Sequence, residues 1–150
     1  MGIAADVTPF EVEALQHGHN SNLCLLDNLV SARSKRPAIP VAVCWPMSTV
    51  ALAGAVEAAV VGIIEPILVG PAIELAKIAK TLALNLAPYR FIEATTEEEA
   101  AAKCVELCRT GESLALMKGS LHTDLLMRFV VQKESGLRTA RRVSHVFVME

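Results

Sequence analysis

The chain has 150 residues, 53% of them hydrophobic and 20% charged, which excludes a disordered protein and fits one ordinary domain. Its net charge of −2 and pI near 6.1 give no global basic field of the kind that nucleic acid or a membrane surface attracts. Mean hydropathy is high at +0.43 while aromatics make up only 4%, so the apolar content is aliphatic.

Met1–Phe10 carries Asp6 and no basic residue, unlike a signal peptide. Residues 9–35 read as helical, broken around His17–Asn22 by Gly18 and Asn20, and residues 1–36 together form an N-terminal helical segment. His17 and His19 lack an acidic or cysteine partner, so no metal site is expected there. Ser31–Pro37 is a basic, proline-terminated connection, read as solvated rather than as a phosphate contact. The cysteines at 24, 44, 104 and 108 show no disulfide framework and are read as free thiols of a cytoplasmic protein. Cys104 and Cys108 share one helix face with no histidine nearby, which favours buried thiols over a metal site.

An uncharged stretch of 20 residues, Pro37–Val56, is nominally long enough to span a bilayer. Pro40, Pro46 and Gly54 interrupt it, so it reads instead as a strand followed by a helix. From there two textures alternate. Ile39–Val43 is a short β-branched strand, and Ser48 or Thr49 caps a helix over Val50–Val61. Ile63–Val69 is a second strand, and Ile73–Leu84 an amphipathic helix. Tyr89–Glu93 is a third strand. Thr95 or Thr96 then caps a helix that opens on Glu97, Glu98 and Glu99, where the helix dipole favours acid, and ends near Arg109 and Gly111. Ser113–Met117 is a fourth strand, Thr123–Glu134 a helix, and Val143–Met149 a fifth strand. This alternation predicts an α/β domain over 37–150, with a parallel sheet covered by helices on both faces, a three-layer αβα arrangement.

Ligands of such sheets bind beyond the carboxyl ends of the strands. The most informative tip is Lys118–Thr123. The strand delivers Lys118, Gly119 lets backbone approach a ligand, and Ser120 or Thr123 begins a helix whose free N–H groups attract anions. The bland alternative is an ordinary capped loop. Arg138, Arg141 and Arg142 read as surface charge or, alternatively, as contacts to an anion or to coenzyme A phosphates. His145, in an apolar strand, reads as a hydrogen-bonded core residue. No P-loop, dinucleotide fingerprint, nucleophile elbow or HExxH is present, which disfavours a nucleotide-dependent dehydrogenase.

Ala115–Asp124, Gly136–Thr139 and Arg141–Met149, with Leu52–Ala59 and Glu65–Pro71, resemble the phosphate acetyltransferase/phosphate butyryltransferase family, above all the form fused to an enoyl-CoA hydratase domain. The likeness covers about residues 37–150. Cys44-Trp45 departs from it, because the family more often has valine and histidine there. The resemblance implies an isocitrate/isopropylmalate-dehydrogenase-like fold of which this chain is the first domain only. It also implies reversible transfer of an acetyl or short-chain acyl group between coenzyme A and inorganic phosphate. Coenzyme A is then a substrate, acyl phosphate or inorganic phosphate the other partner, and no cofactor is bound. Neither nucleic acid nor a membrane is a partner, and the chain is expected to form a homo-oligomer. By position, Lys118, Gly119, Ser120, His122 and Thr123 would line the acyl-phosphate side of an interdomain cleft, Ser120 and Thr123 as donors and Lys118 as counter-charge. The Ser-Arg pair and aspartate that the family uses for catalysis are expected in a second domain beyond Glu150. The rival reading is a non-catalytic α/β module that binds a phosphorylated ligand or self-associates.

Overall fold

The structure, a computed structural model, describes residues 25–34, 36–144 and 146–147. Cys24, His17, His19, His145 and most of the expected N-terminal helical segment lie outside them. The element order is α1 (Leu25–Ser34), β1 (Ile39–Cys44), α2 (Thr49–Val60), β2 (Ile64–Gly70), α3 (Ala72–Thr81), β3 (Arg90–Glu93), α4 (Glu97–Thr110), β4 (Ala115–Lys118) and α5 (Thr123–Val130). The strands form one four-stranded sheet in the order β3-β2-β1-β4, with every pairing parallel.

The two central strands are the β-branched runs, and their period of two serves two cores. Ala42 and Cys44 of β1, with Ile67 and Val69 of β2, pack against Ala100, Ala101, Cys104 and Leu107 of α4 and Leu125 and Leu126 of α5. Val43 and Leu68 face the other way, onto Leu52 and Ala55 of α2 and Leu75 and Ala79 of α3. Helices therefore cover both faces. The chain moves outward from β1 to β3 with α2 and α3 on one face, then reverses to reach β4. Crossovers keep one hand, so reversing direction moves α4 to the opposite face. The stretch 37–56 is accordingly divided between β1 and α2, and among the described residues no helix is long and apolar enough to cross a membrane.

Three departures from the sequence reading have local causes. The fourth strand begins at Ala115 because Ser113 turns its side chain into the sheet. Ser113 is 2% exposed, and its Oγ accepts from Ala42 N at 2.8 Å and donates to Ala115 O at 2.6 Å. The last helix stops at Val130 rather than at Glu134 because the chain folds back on it. Leu137 N donates to Val130 O at 2.8 Å, and a Cβ on Gly136 would stand 2.5 Å from Gln132 O.

The expected fifth strand is the third departure. His145, Val148 and Met149 lie outside the described residues, while Val143, Ser144, Val146 and Phe147 belong to no strand of the sheet. Val143, Val146 and Phe147 are 67%, 78% and 71% exposed. An alternating apolar pattern becomes a strand only when an edge receives it, and β4 ends the sheet without doing so among the described residues.

The start of α4 titrates. Thr96 caps it by accepting from Glu99 N at 3.2 Å, and the Glu99 carboxylate reaches back to Thr95 N at 2.7 Å and Thr95 Oγ1 at 2.9 Å. The Lys103 ammonium, 2.6 Å away, and then the Thr95 donors hold the Glu99 carboxyl down at about 2, from 4.5. A carboxylate whose folded pKa is depressed contributes stability above its unfolded pKa and loses that contribution as the pH falls through the folded one. Glu99→Gln is therefore expected to melt below the wild type at pH 7, with the gap narrowing below pH 4.5 and gone by about pH 2. Thermal unfolding of both proteins across that window checks it, and a gap that persists at pH 2 contradicts the assignment. High salt should shrink the gap, because the pair is exposed.

Candidate functional site

The sheet reverses its winding between β1 and β4, so the loops that leave these two neighbours run to opposite faces and open a crevice at the carboxyl edge. The two loops are tied through their backbones. Gly119 N donates to Cys44 O and Ser120 N to Trp45 O, each at 2.8 Å. A Cβ at Gly119 would lie 2.4 Å from Trp45 O and 2.5 Å from Cys44 O, so glycine is required for this close approach.

Of the residues singled out in this loop, Lys118, Ser120, His122 and Thr123 are exposed and Gly119 is half-buried. Leu121, 1% exposed, anchors the loop in the core on the α4/α5 side. The Lys118 ammonium turns back on its own loop, donating to Leu121 O at 2.7 Å and Gly119 O at 3.2 Å. The helix begins at Thr123, with His122 in the capping position.

What distinguishes this tip is how its helix starts. α2 is capped by the Ser48 hydroxyl and α4 by Thr96 and Glu99. At α3 the Glu93 carboxylate, from the tip of β3, accepts from Ala72 N at 3.2 Å. At α5 no side chain caps the helix, although Asp124 sits in its first turn, where the helix dipole stabilises a carboxylate. Among the described residues, α5 is thus the strand-following helix whose first-turn N–H groups still lack an acceptor side chain. Those groups lie at the positive end of the helix dipole, the end of a helix that favours negative charge.

Arg138, Arg141 and Arg142 are not brought to this loop. They are exposed and line a separate open depression of about 530 Å³ with Val131, Thr139 and Val143. Among the described residues no group of three or more His, Cys, Asp or Glu side chains is placed to hold a metal. Cys104 is fully buried and Cys108 half-buried, both as free thiols. The Cys104 thiol is hydrogen-bonded to the thiol of Cys44 on β1, which together with burial pushes it well above the usual thiol range. That contact between strand and helix has no signature in the spacing of the cysteines.

The sequence reading notes Trp45 as a departure from the resembling family and gives it no role. It has φ +54, in the left-handed region, and its backbone links three strand tips: Trp45 N donates to Val69 O at 2.9 Å, and Trp45 O accepts from Met47 N and Ser120 N. The available signal was a bulky aromatic residue at a strand tip where the resembling family carries histidine.

No protein-family model matches the chain. It is 45% identical over 124 residues to the phosphate acetyltransferase of Rickettsia felis, a match that covers 83% of this chain and 35% of that protein. It is 34% identical over 124 residues to the phosphate butyryltransferase of Clostridium beijerinckii, covering 83% of this chain and 41% of that one. The chain thus spans well under half the length of these curated relatives. Among solved structures, EutD phosphotransacetylase from Staphylococcus aureus superposes with a TM-score of 0.55 over 71% of this chain and 43% of that one, at 15% identity, which is a likeness of fold.

Proposed function

We propose, from a chain that matches the phosphate acetyltransferases and phosphate butyryltransferases at family level, that it supplies one domain of a phosphate acyltransferase. The observation that supports this reading is the Lys118–Thr123 loop: a block that resembles the family leads, at the sheet's reversal point, into a helix whose N-terminus no side chain caps. The domain is assigned to residues 37–150, behind an N-terminal helical segment, and to the isocitrate/isopropylmalate-dehydrogenase type of fold.

In the reaction a coenzyme A thiolate attacks the carbonyl carbon of an acetyl or short-chain acyl phosphate. The bond from that carbon to the bridging phosphate oxygen breaks, releasing inorganic phosphate and acyl-CoA. The α5 N–H groups, with the Ser120 and Thr123 hydroxyls, hold the phosphate through both halves of the exchange. The Lys118 ammonium, kept on its loop carbonyls, adds positive charge without needing to move. Arg138, Arg141 and Arg142 are assigned to the phosphates of coenzyme A, at a distinct depression. The base that takes the thiol proton is assigned to a second domain, and the whole enzyme to the cytoplasm.

Acyl-CoA formation from acetyl or butyryl phosphate and coenzyme A tests this, measured on the chain and on a version extended to the length of its relatives. The extended protein is expected to make acyl-CoA, and its failure to do so removes the assignment. Self-association is a second reading, favoured by the exposed Val50 and Val60 at the two ends of α2, 81% and 77% accessible. Light scattering showing a strict monomer would remove that one.

A further inference from the structure

We infer that Ser144 is a phosphorylation site whose phosphate is received by the arginines of the depression beside it. The regulatory part of this inference deepens the assignment of Arg138, Arg141 and Arg142 to coenzyme A phosphates, and it rests on that reading.

Recognition is local. Arg141 and Arg142 are the chain's one adjacent arginine pair, and they stand three and two residues before Ser144. A protein kinase that selects its substrates by charge offers carboxylates to arginines on the N-terminal side of the acceptor serine, and it takes that segment as extended chain. Ser144 is exposed and belongs to no helix or strand, and both arginines are exposed with it. The segment is therefore available without unfolding any element. Thr139, the neighbouring hydroxyl residue, follows a single arginine, and its Oγ1 is engaged by Arg141 N at 3.1 Å.

Reception is spatial. The reversal after α5, where Leu137 N donates to Val130 O, gathers Arg138, Arg141 and Arg142 around one open depression of about 530 Å³, lined also by Val143, the residue before Ser144. The ion pairs of Arg90, Lys103 and Arg109 lie on other elements, and among the described residues no carboxylate pairs with these three arginines. Guanidinium groups gathered without a counter-charge raise the positive potential of the depression. A phosphoserine brings about two negative charges and three acceptor oxygens to such a cluster. In the transfer, Ser144 Oγ attacks the γ-phosphorus of ATP. The bond from that phosphorus to the bridging oxygen breaks, ADP leaves, and the hydroxyl proton passes to the kinase's base. The new phosphate then occupies the place assigned to the coenzyme A phosphates, so the modified chain binds coenzyme A more weakly.

The test incubates the 150-residue chain with ATP and a serine/threonine kinase that selects arginine two and three residues before its serine, and maps the product by mass spectrometry. A single phosphate on Ser144 is expected, with none taken up by Ser144→Ala and uptake about tenfold slower in Arg141→Gln/Arg142→Gln. Phosphate on another residue, or equal rates in the double variant, overturns the site. Phosphorus NMR reads the receptor. Arginines that hold the dianion keep the second ionisation of the phosphoserine below its usual pH of about 6. Arg138→Gln, outside the kinase's reading of the segment, should be modified as fast as the wild type and should move that ionisation back up. An ordinary ionisation in the wild type overturns the docking. In calorimetry the phosphorylated chain should bind coenzyme A about tenfold more weakly than the unmodified one, and equal affinities overturn the regulation. If the unmodified chain does not bind coenzyme A, the assignment of the arginines falls and the regulation with it, while the mapping and the phosphorus titration still decide the site.

Discussion

Gly119→Ala is expected to lower stability by about 3 kcal/mol, the upper part of the range for overpacking a close contact. The added methyl would meet the carbonyls of Cys44 and Trp45 at 2.5 and 2.4 Å, and these are backbone atoms of a central strand and its tip. They cannot rotate aside as a side chain would. Relief requires β4 to part from β1, breaking the bonds of Gly119 N to Cys44 O and Ser120 N to Trp45 O. In thermal unfolding this corresponds to a fall of roughly 10 °C in Tm. The loop would also lose its register, so the phosphate binding proposed for it should weaken even well below the transition. A variant that melts with the wild type would mean that the two loops are not in contact.

Ser113→Ala is the second large effect. Ser113 Oγ receives the buried N–H of Ala42 in the middle of β1, and alanine leaves that donor without a partner where water does not reach. An orphaned buried amide costs about 2 kcal/mol. Ser120→Ala, a deletion of the same hydroxyl from an exposed position at the other end of β4, should change stability by no more than about 0.5 kcal/mol. Denaturant unfolding of the two variants side by side checks the contrast. Equal losses would show that Ser113 does not hold the strand.

The parallel architecture was legible because its residues follow local rules. β-branched runs of strand length alternate with helices whose first turns carry Ser48, Thr96 and Glu97–Glu99, and each of those signals acts within a few residues. The candidate loop was legible for the same reason: lysine, glycine and a helix start are contiguous.

What escaped depends on residues far apart in the chain. Ser113 meets Ala42, Gly119 meets Trp45, and Cys104 meets Cys44 only after β4 is laid beside β1 and α4 is packed across it. The expected fifth strand differs in the opposite direction: its pattern is that of a strand, but among the described residues Val143, Ser144, Val146 and Phe147 belong to no strand of the sheet. Arg138, Arg141 and Arg142 read in sequence as surface charge or as contacts to an anion or to coenzyme A phosphates, and their place in a depression apart from the loop follows from the reversal after α5, which sequence spacing does not show.

The backbone bonds between the β1 and β4 tips have a kinetic consequence. A loop that closes only when ligand arrives must be ordered at that moment, which weakens binding and slows capture. Here Gly119 and Ser120 are already locked to Cys44 and Trp45, so ordering of this segment is completed during folding. In hydrogen exchange their amides should behave as part of the sheet, opening only when β1 and β4 separate. The amides of Thr123, Asp124 and Leu125, a few residues on, should exchange quickly until an anion covers them. One short loop would thus divide into a rigid half that sets position and a solvated half that receives the guest.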